Sequence, residues 1–188
     1  MQLQDINAQS RQYNSTDLSK LLTIVMPVRI DSDERMSNLK VVLRHVCGLE
    51  CPVLLLEADK RSALKDKIDT DEGIGRLIRY EFVLDHNPVF HRTKYINKLL
   101  GEARTELVAV WDADILVDYC QVHEAVDNIM NGCTLAYPYS VEYVMLSEKE
   151  SNATRRSPDL ENLKSKKLQS VFGRPFCGGV FLVHRQRY

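Results

Sequence analysis

Cysteine is scarce and carries no pairing pattern. The five residues, Cys47, Cys51, Cys120, Cys133 and Cys177, are odd in number and show no CxxC spacing, which argues against both a disulfide framework and a zinc site. They are read as reduced thiols of a cytoplasmic protein, with Cys47 and Cys51 serving as small apolar residues. Long hydrophobic runs are also missing. The longest, near Leu21 to Val28, is far too short to span a bilayer, and Met1 to Lys20 is polar with no apolar segment of signal-peptide type. Asn14-Ser15-Thr16 and Asn152-Ala153-Thr154 match the glycosylation pattern, and without a secretory signal both are read as chance. Neither sign of charge dominates: 25 Lys and Arg face 26 Asp and Glu, a net charge of −1. That balance suggests neither a nucleic-acid binder nor a polybasic membrane protein, so basic residues must act locally. No internal repeat is present.

What remains is ordinary globular material. The chain has 188 residues, 44% of them apolar, enough for one domain that buries about 70% of the surface its unfolded form exposes. Residues 1 to about 20 read as a loosely held arm preceding a domain over 21–188. Leu21 to Val28 is a β-branched apolar run closed by Pro27, suited to a central strand that opens into a loop. Asp31, Ser32 or Asp33 can cap the next segment, where Met36, Leu39, Val42, Leu43 and Val46 recur at helical spacing. Pro52 to Glu57 is a second apolar strand. A polar stretch from Asp59 to Gly75 contains a possible short helix, and Leu77 to Val83 reads as a less apolar, edge-like third strand. Helices follow over Thr93 to Arg104 and Tyr119 to Met130, with the strand Leu107 to Trp111 between them. Cys133 to Tyr139 and Phe176 to Val183 supply further strands. Glu148 to Lys167 reads as a mobile charged surface insertion with one short helix. Alternating strands and helices predict a mainly parallel sheet covered on both faces, in the strand order 3-2-1-4.

The most informative stretch is Val110-Trp111-Asp112-Ala113-Asp114, two carboxylates two residues apart at the end of a buried strand. Side chains two apart on a strand point the same way, and paired carboxylates at a strand end call for a compensating cation. A hard divalent metal holding a diphosphate is the natural partner. A bare Asp-x-Asp is more often a solvated turn, so its surroundings decide. In open α/β sheets ligands bind beyond the carboxyl ends of the strands. Arg29 and Asp31, Glu57, Asp112 with Asp114, and the Gly178-Gly179 pair all fall there. His91-Arg92-Thr93-Lys94 adds two cations at a helix start, where backbone N–H groups also favour an anion. Glu57 or Asp31 could accept from a uracil imide or a ribose, and the two glycines let a sugar ring approach the backbone.

In this order, Val25-Met26-Pro27-Val28-Arg29, Phe90-His91-Arg92-Thr93-Lys94-Tyr95-Ile96-Asn97, Trp111-Asp112-Ala113-Asp114 and Phe176-Cys177-Gly178-Gly179-Val180 resemble the nucleotide-binding part of GT-A glycosyltransferases. Within these the segment from Leu21 to Tyr188 is most similar to the family 2 bacterial polysaccharide transferases and the galactosyltransferase C-terminal domain of the β-1,4-galactosyltransferases. The resemblance implies a GT-A Rossmann-like sandwich and transfer of a hexose or N-acetylhexosamine from a UDP-sugar to a saccharide acceptor, metal-dependent and inverting. It implies that Pro27, Val28, Arg29 and Asp31 contact the nucleoside, Glu57 the uracil, and Arg92, Lys94 and Asn97 the nucleotide and phosphates. Asp112 and Asp114 would hold the ribose side and Mn²⁺ or Mg²⁺, with Ala113, Gly178 and Gly179 lining the sugar-nucleotide site. Such enzymes continue into an Asn-Gly-Phe segment, a Trp-Gly-rich stretch ending in Glu-Asp and a late histidine. None follows here, so the expectation is a truncated form that binds donor and metal, with the catalytic base beyond Tyr188.

Plainer readings stand beside these. Arg92 and Lys94 could be solvated helix-face cations, Glu57 could cap the segment after its strand, and Trp111 is read as core. A nucleotidyltransferase should carry a glycine-rich loop after the first strand, and Arg29-Ile30-Asp31-Ser32-Asp33 has no glycine. A non-catalytic nucleotide-sugar-binding module is the other alternative.

Overall fold

The computed structural model describes residues 17–65, 67, 75–139, 144–157 and 178–187. Along them run α1 (Leu18–Leu21), β1 (Leu22–Val28), α2 (Asp33–Cys47), β2 (Val53–Asp59), a 3₁₀ turn (Gly75–Leu77), β3 (Ile78–Leu84) and α3 (Arg92–Glu102). Then follow β4 (Leu107–Trp111), α4 (Tyr119–Met130), β5 (Leu135–Ala136), α5 (Glu148–Arg156) and β6 (Val180–His184). The strands make one sheet in the order β3-β2-β1-β4-β6-β5. Strands β3, β2, β1 and β4 are mutually parallel, while β6 runs antiparallel to β4 and β5 antiparallel to β6. The sheet is thus mainly parallel, with β3 at an edge and the order 3-2-1-4 in its first half, as expected.

Strand alternation sorts the buried side chains into two layers. Leu22, Ile24 and Met26 of β1, Val53 and Leu55 of β2, and Leu107, Ala109 and Trp111 of β4 face α2 and α4, packing with Leu39, Val42, Val122 and Val126. Val25 of β1, Leu54 and Leu56 of β2, and Val108 and Val110 of β4 face α3 and meet Tyr95, Ile96 and Leu99. Both faces of the inner strands are therefore covered, which is why these strands read as continuous apolar runs. Ser32 is the residue that caps α2, accepting from the Arg35 N–H at 3.2 Å.

Pro27 sits inside a central strand, where a missing N–H normally excludes it. The register explains why it is tolerated. Ile24 donates its N–H to Pro52 on the β2 side, so odd-numbered β1 residues turn their backbone groups toward β4. The β1–β4 ladder ends at Val25↔Val110, whereas β1–β2 pairing continues to Val28↔Glu57. Pro27 is thus the first residue facing β4 past the last β1–β4 pair, and the two strands part there.

Several boundaries differ from those expected. The arm's last residues are held: Asp17 caps α1, and Leu18 is buried. The Cys133 to Tyr139 segment pairs only at Leu135–Ala136, because it lies at the sheet edge and Pro138 cannot extend a ladder. The last strand begins at Val180 and not at Phe176. Gly178 and Gly179 have φ of 151° and 77°, outside strand geometry, and Phe176 and Cys177 lie outside the described residues. Of the charged Glu148 to Lys167 segment, α5 docks on α2 through Arg155, which bonds Glu34 at 2.7 Å and Asn38 at 2.9 Å. The remainder, like most of the stretch between Asp59 and Gly75, lies outside the described residues.

α2 is tied to the chain after β4 by His45. Its Nε2–H donates to the Val117 carbonyl at 2.7 Å, and its ring stacks on Tyr119 at 4.7 Å. Burial holds this imidazole below its usual pKa of 6.5, against opposing pulls from the Val117 carbonyl and the nearby Asp118 charge. A depressed folded value means that the unfolded chain takes up the proton first as pH falls through 6.5, so the stability contributed by neutral His45 is present above that pH and lost below it. Urea melts at pH 7.5 and 5.5 are expected to show a larger loss of stability in the wild type than in His45→Gln; equal losses would mean that another group carries the dependence.

Candidate functional site

Beyond the point where β1 and β4 part, the chain gathers charge. Val108 and Val110 face α3, and Asp112 continues that alternation as β4 ends. Arg92 begins α3 three and four residues before the buried Tyr95 and Ile96, so it lies on the sheet-facing stripe of the helix. Each periodicity brings its residue to the same place. Arg92 donates through Nε at 3.0 Å and Nη2 at 2.5 Å to one oxygen, Asp112 Oδ1. Both side chains are partly exposed, 38% and 35%, so ligand can reach the pair. Burial pushes the Asp112 carboxyl above its ordinary value; Arg92 pulls it down and the neighbouring Asp114 charge pushes it further up. Asp114 is exposed and Ala113 partly buried between them.

The backbone carrying the two acids is pinned from both sides. Trp111, fully buried, donates its indole N–H to the Ile115 carbonyl at 2.9 Å and closes the turn. The Asp112 N–H donates to the Gly179 carbonyl at 2.8 Å. A side chain at Gly179 would be strained at φ +77° and would meet Ile115 Cγ1 at 3.1 Å, so glycine is what lets the β6 backbone lie against this turn. Gly178 is fixed in turn by Tyr139, whose hydroxyl donates to the Gly178 carbonyl at 2.5 Å and accepts from its N–H at 2.9 Å.

Arg29 leaves β1 on the same face and holds the segment before α3. Its Nε donates to the Ala58 carbonyl at 3.0 Å, and its Nη1 to the carbonyls of Asn87 at 3.0 Å and Pro88 at 3.2 Å. It lies 5.4 Å over the Phe90 ring and 3.5 Å from Asp85 Oδ2. Asp85 also accepts from the Tyr95 hydroxyl, which holds its carboxyl below the usual range, while burial, followed by that bond to Asp85, pushes the Tyr95 phenol up to about 12. The Phe90 carbonyl receives the Arg92 N–H at 3.0 Å. One connected set of contacts therefore runs from the end of β1 to the start of α3.

The structure brings Arg29, Arg92, Asp112, Asp114, Gly178 and Gly179 around this crevice. Pro27 and Val28 are buried in β1 beside it. Four expected site residues stand elsewhere. Glu57 is fully buried in β2, two residues after Leu55, on the face opposite Asp112. Its carboxylate accepts from the N–H groups of Ala63 at 2.7 Å and Leu64 at 3.3 Å and the hydroxyls of Ser62 at 2.8 Å and Tyr80 at 2.5 Å. That is a strand-end acid capping the following segment. Asp31 is exposed and pairs with Arg35 at 3.1 Å. Lys94 and Asn97 lie on the exposed side of α3, away from its buried stripe, and the Lys94 ammonium sits 5.2 Å over the Tyr95 ring. Asp85, Ile115 and Tyr139 were not marked by any motif.

A divalent cation fits the chemistry of Asp112 and Asp114. Among the described residues no group of three or more His, Cys, Asp or Glu side chains comes together to form an all-protein cage. Two carboxylates suit a hard cation that keeps other positions for phosphate oxygens and water. Also among the described residues, no helix is long and apolar enough to cross a membrane.

No protein-family model matches the sequence, and no curated protein is significantly similar to it. Solved structures share the fold. GalNAc-T7 with UDP, GalNAc and Mn²⁺ superposes with a TM-score of 0.52 at 13% identity, over 89% of this chain and 35% of that one. Bifunctional IspDF from Campylobacter jejuni gives a TM-score of 0.51 at 11% identity, over 88% and 41%. The chain spans less than half the length of either. It has the Rossmann-like fold of the nucleotide-diphospho-sugar transferases, seen in GT-A glycosyltransferases.

Glu57→Gln would turn an amide N–H toward a donor and lose charge-assisted hydrogen bonds, at a cost of about 2 kcal/mol in stability. A urea melt should register that loss; an unchanged midpoint would mean that these contacts do not hold the segment after β2.

Proposed function

We propose that this chain is the donor-binding part of a glycosyltransferase that takes a hexose or N-acetylhexosamine from a UDP-sugar to a saccharide acceptor with inversion. The observation that carries the reading is the meeting of Arg92 with Asp112, next to Asp114, at the start of α3 and beyond the parting of β1 and β4. Crevices at such points of parallel sheets are where nucleotides bind. No side chain caps α3 at His91, so its first amides add a partial positive charge beside Arg92 that suits a diphosphate.

In this reading Asp112 and Asp114 hold Mn²⁺ or Mg²⁺, and the cation, when bound, offsets the charge that grows on the departing diphosphate. Arg92, paired with Asp112 here, supplies a positive charge within reach of the same oxygens. Arg29 contributes through the 85–91 segment that it fastens, positioning the start of α3. Gly179 lets the β6 segment lie against the Asp112 turn, so the two glycines shape the backbone beside the sugar position in this reading. These residues supply the leaving-group half of the transfer. Nucleotidyl transfer is the second reading, favoured by the likeness to IspDF.

Calorimetry with UDP and CTP, each with and without Mn²⁺, tests this. UDP should bind about ten-fold or more tightly with Mn²⁺ than without it, the size expected from one or two charge-assisted contacts, and Asp114→Asn should remove most of that gain. Equal UDP affinity with and without Mn²⁺ would remove the metal-dependent donor site, and tighter binding of CTP than of UDP would favour nucleotidyl transfer.

A further inference from the structure

We infer that Arg92 and Asp112 form a counter-ion lock that couples the two ligands, so that a nucleoside diphosphate and a divalent cation each open the site for the other. The inference rests on the donor-site reading above and adds its control. Arg92 places two donors on a single oxygen of Asp112, the geometry of a charge-assisted pair and not of a side chain pointing into solvent. Arg92 forms an ion pair with Asp112. The same two residues are the ones that the ligands need.

The arrangement makes each ligand weak alone. A cation arriving by itself must displace the guanidinium from Asp112 and then sit beside that displaced positive charge. A diphosphate arriving by itself must draw Arg92 away, leaving the partly buried Asp112 without its counter-charge and next to new negative charge, which is unfavourable. When both arrive, Arg92 passes to the phosphate and Asp112 to the cation, and neither charge is left alone. Asp114, exposed and outside the pair, is the carboxylate at which a cation first makes contact. Coupling of this kind is reciprocal: each ligand must tighten the other by the same factor.

The lock predicts a sign that other roles for Arg92 do not. A simple phosphate contact would leave cation binding in the absence of nucleotide unchanged when Arg92 is removed, and a general prop of the site would weaken it. A lock makes it tighter. Mn²⁺ binding followed by electron paramagnetic resonance, with and without saturating UDP, separates these cases in the wild type, Arg92→Gln and Arg92→Lys. In the wild type UDP should raise Mn²⁺ affinity by about ten-fold or more, within the usual range of such couplings. In Arg92→Gln, Mn²⁺ alone should bind several-fold more tightly than in the wild type, and the gain from UDP should shrink. Arg92→Lys keeps the charge but loses the fork and should fall between them, which carries the test should the glutamine variant melt early. Mn²⁺ alone binding no more tightly to either variant, or an unchanged UDP gain, overturns the lock while leaving the donor site standing. Failure of the wild type to bind UDP and Mn²⁺ together overturns the donor site and the lock with it.

Discussion

The ladder between β1 and β4 ends at Val25↔Val110, and the site is organised around that ending. Proline at position 27 has no N–H to offer β4, so the strands part there while β1 remains paired to β2. Asp112 finds its backbone partner on the other side, in Gly179 of the β6 segment. Beyond the parting, β1 stays paired to β2 and β4 to β6, and the start of α3 reaches Asp112 through Arg92. Neither acid could be displayed at this position if β4 continued its pairing with β1 past Trp111.

Two arginines line this crevice, and the groups around them give them different work. Arg29 spends its donors on the backbone carbonyls of Ala58, Asn87 and Pro88 and is covered by Phe90, so its charge is committed to holding chain segments together. Arg92 faces a carboxylate that stays within reach of solvent, and its contact is exchangeable. Fixing one guanidinium in the scaffold and leaving the other on an ionic partner gives a rigid floor with a responsive edge. Burial raises the carboxyl of Asp112 despite the arginine beside it.

Much of this was legible in the sequence. The apolar runs of β1 and β4, the helical spacing in α2, α3 and α4, and the position of Asp112-Ala113-Asp114 at a strand end all follow from local periodicity. The sequence sets Glu57 at the end of the β2 run but not its facing, because β2 is apolar on both sides and alternation assigns faces only once the position of α3 is known. Lys94 and Asn97 share a motif with Arg92, yet a helix turns about 100° per residue and carries them to the solvent side. Tyr139 left no local trace: its hydroxyl matters only because the β6 segment returns to it. Motif spacing thus found the strand ends, and the choice among side chains at those ends depended on contacts between distant parts of the chain.

The antiparallel return of β6 also sets the order in which the molecule can be completed. The turn bearing Asp112 and Asp114 donates its Asp112 N–H to the Gly179 carbonyl, and Gly179 lies against Ile115 of the same turn. A nascent chain that has produced β1 to β4 therefore holds the acids on an open edge, with one flank of β4 unpaired and its central strand exposed to wrong partners. Closure of that edge and shaping of the acidic turn are one event, reached only when the segment from Gly178 to His184 arrives. Pairing of β6 and shaping of the acidic turn are in this way coupled.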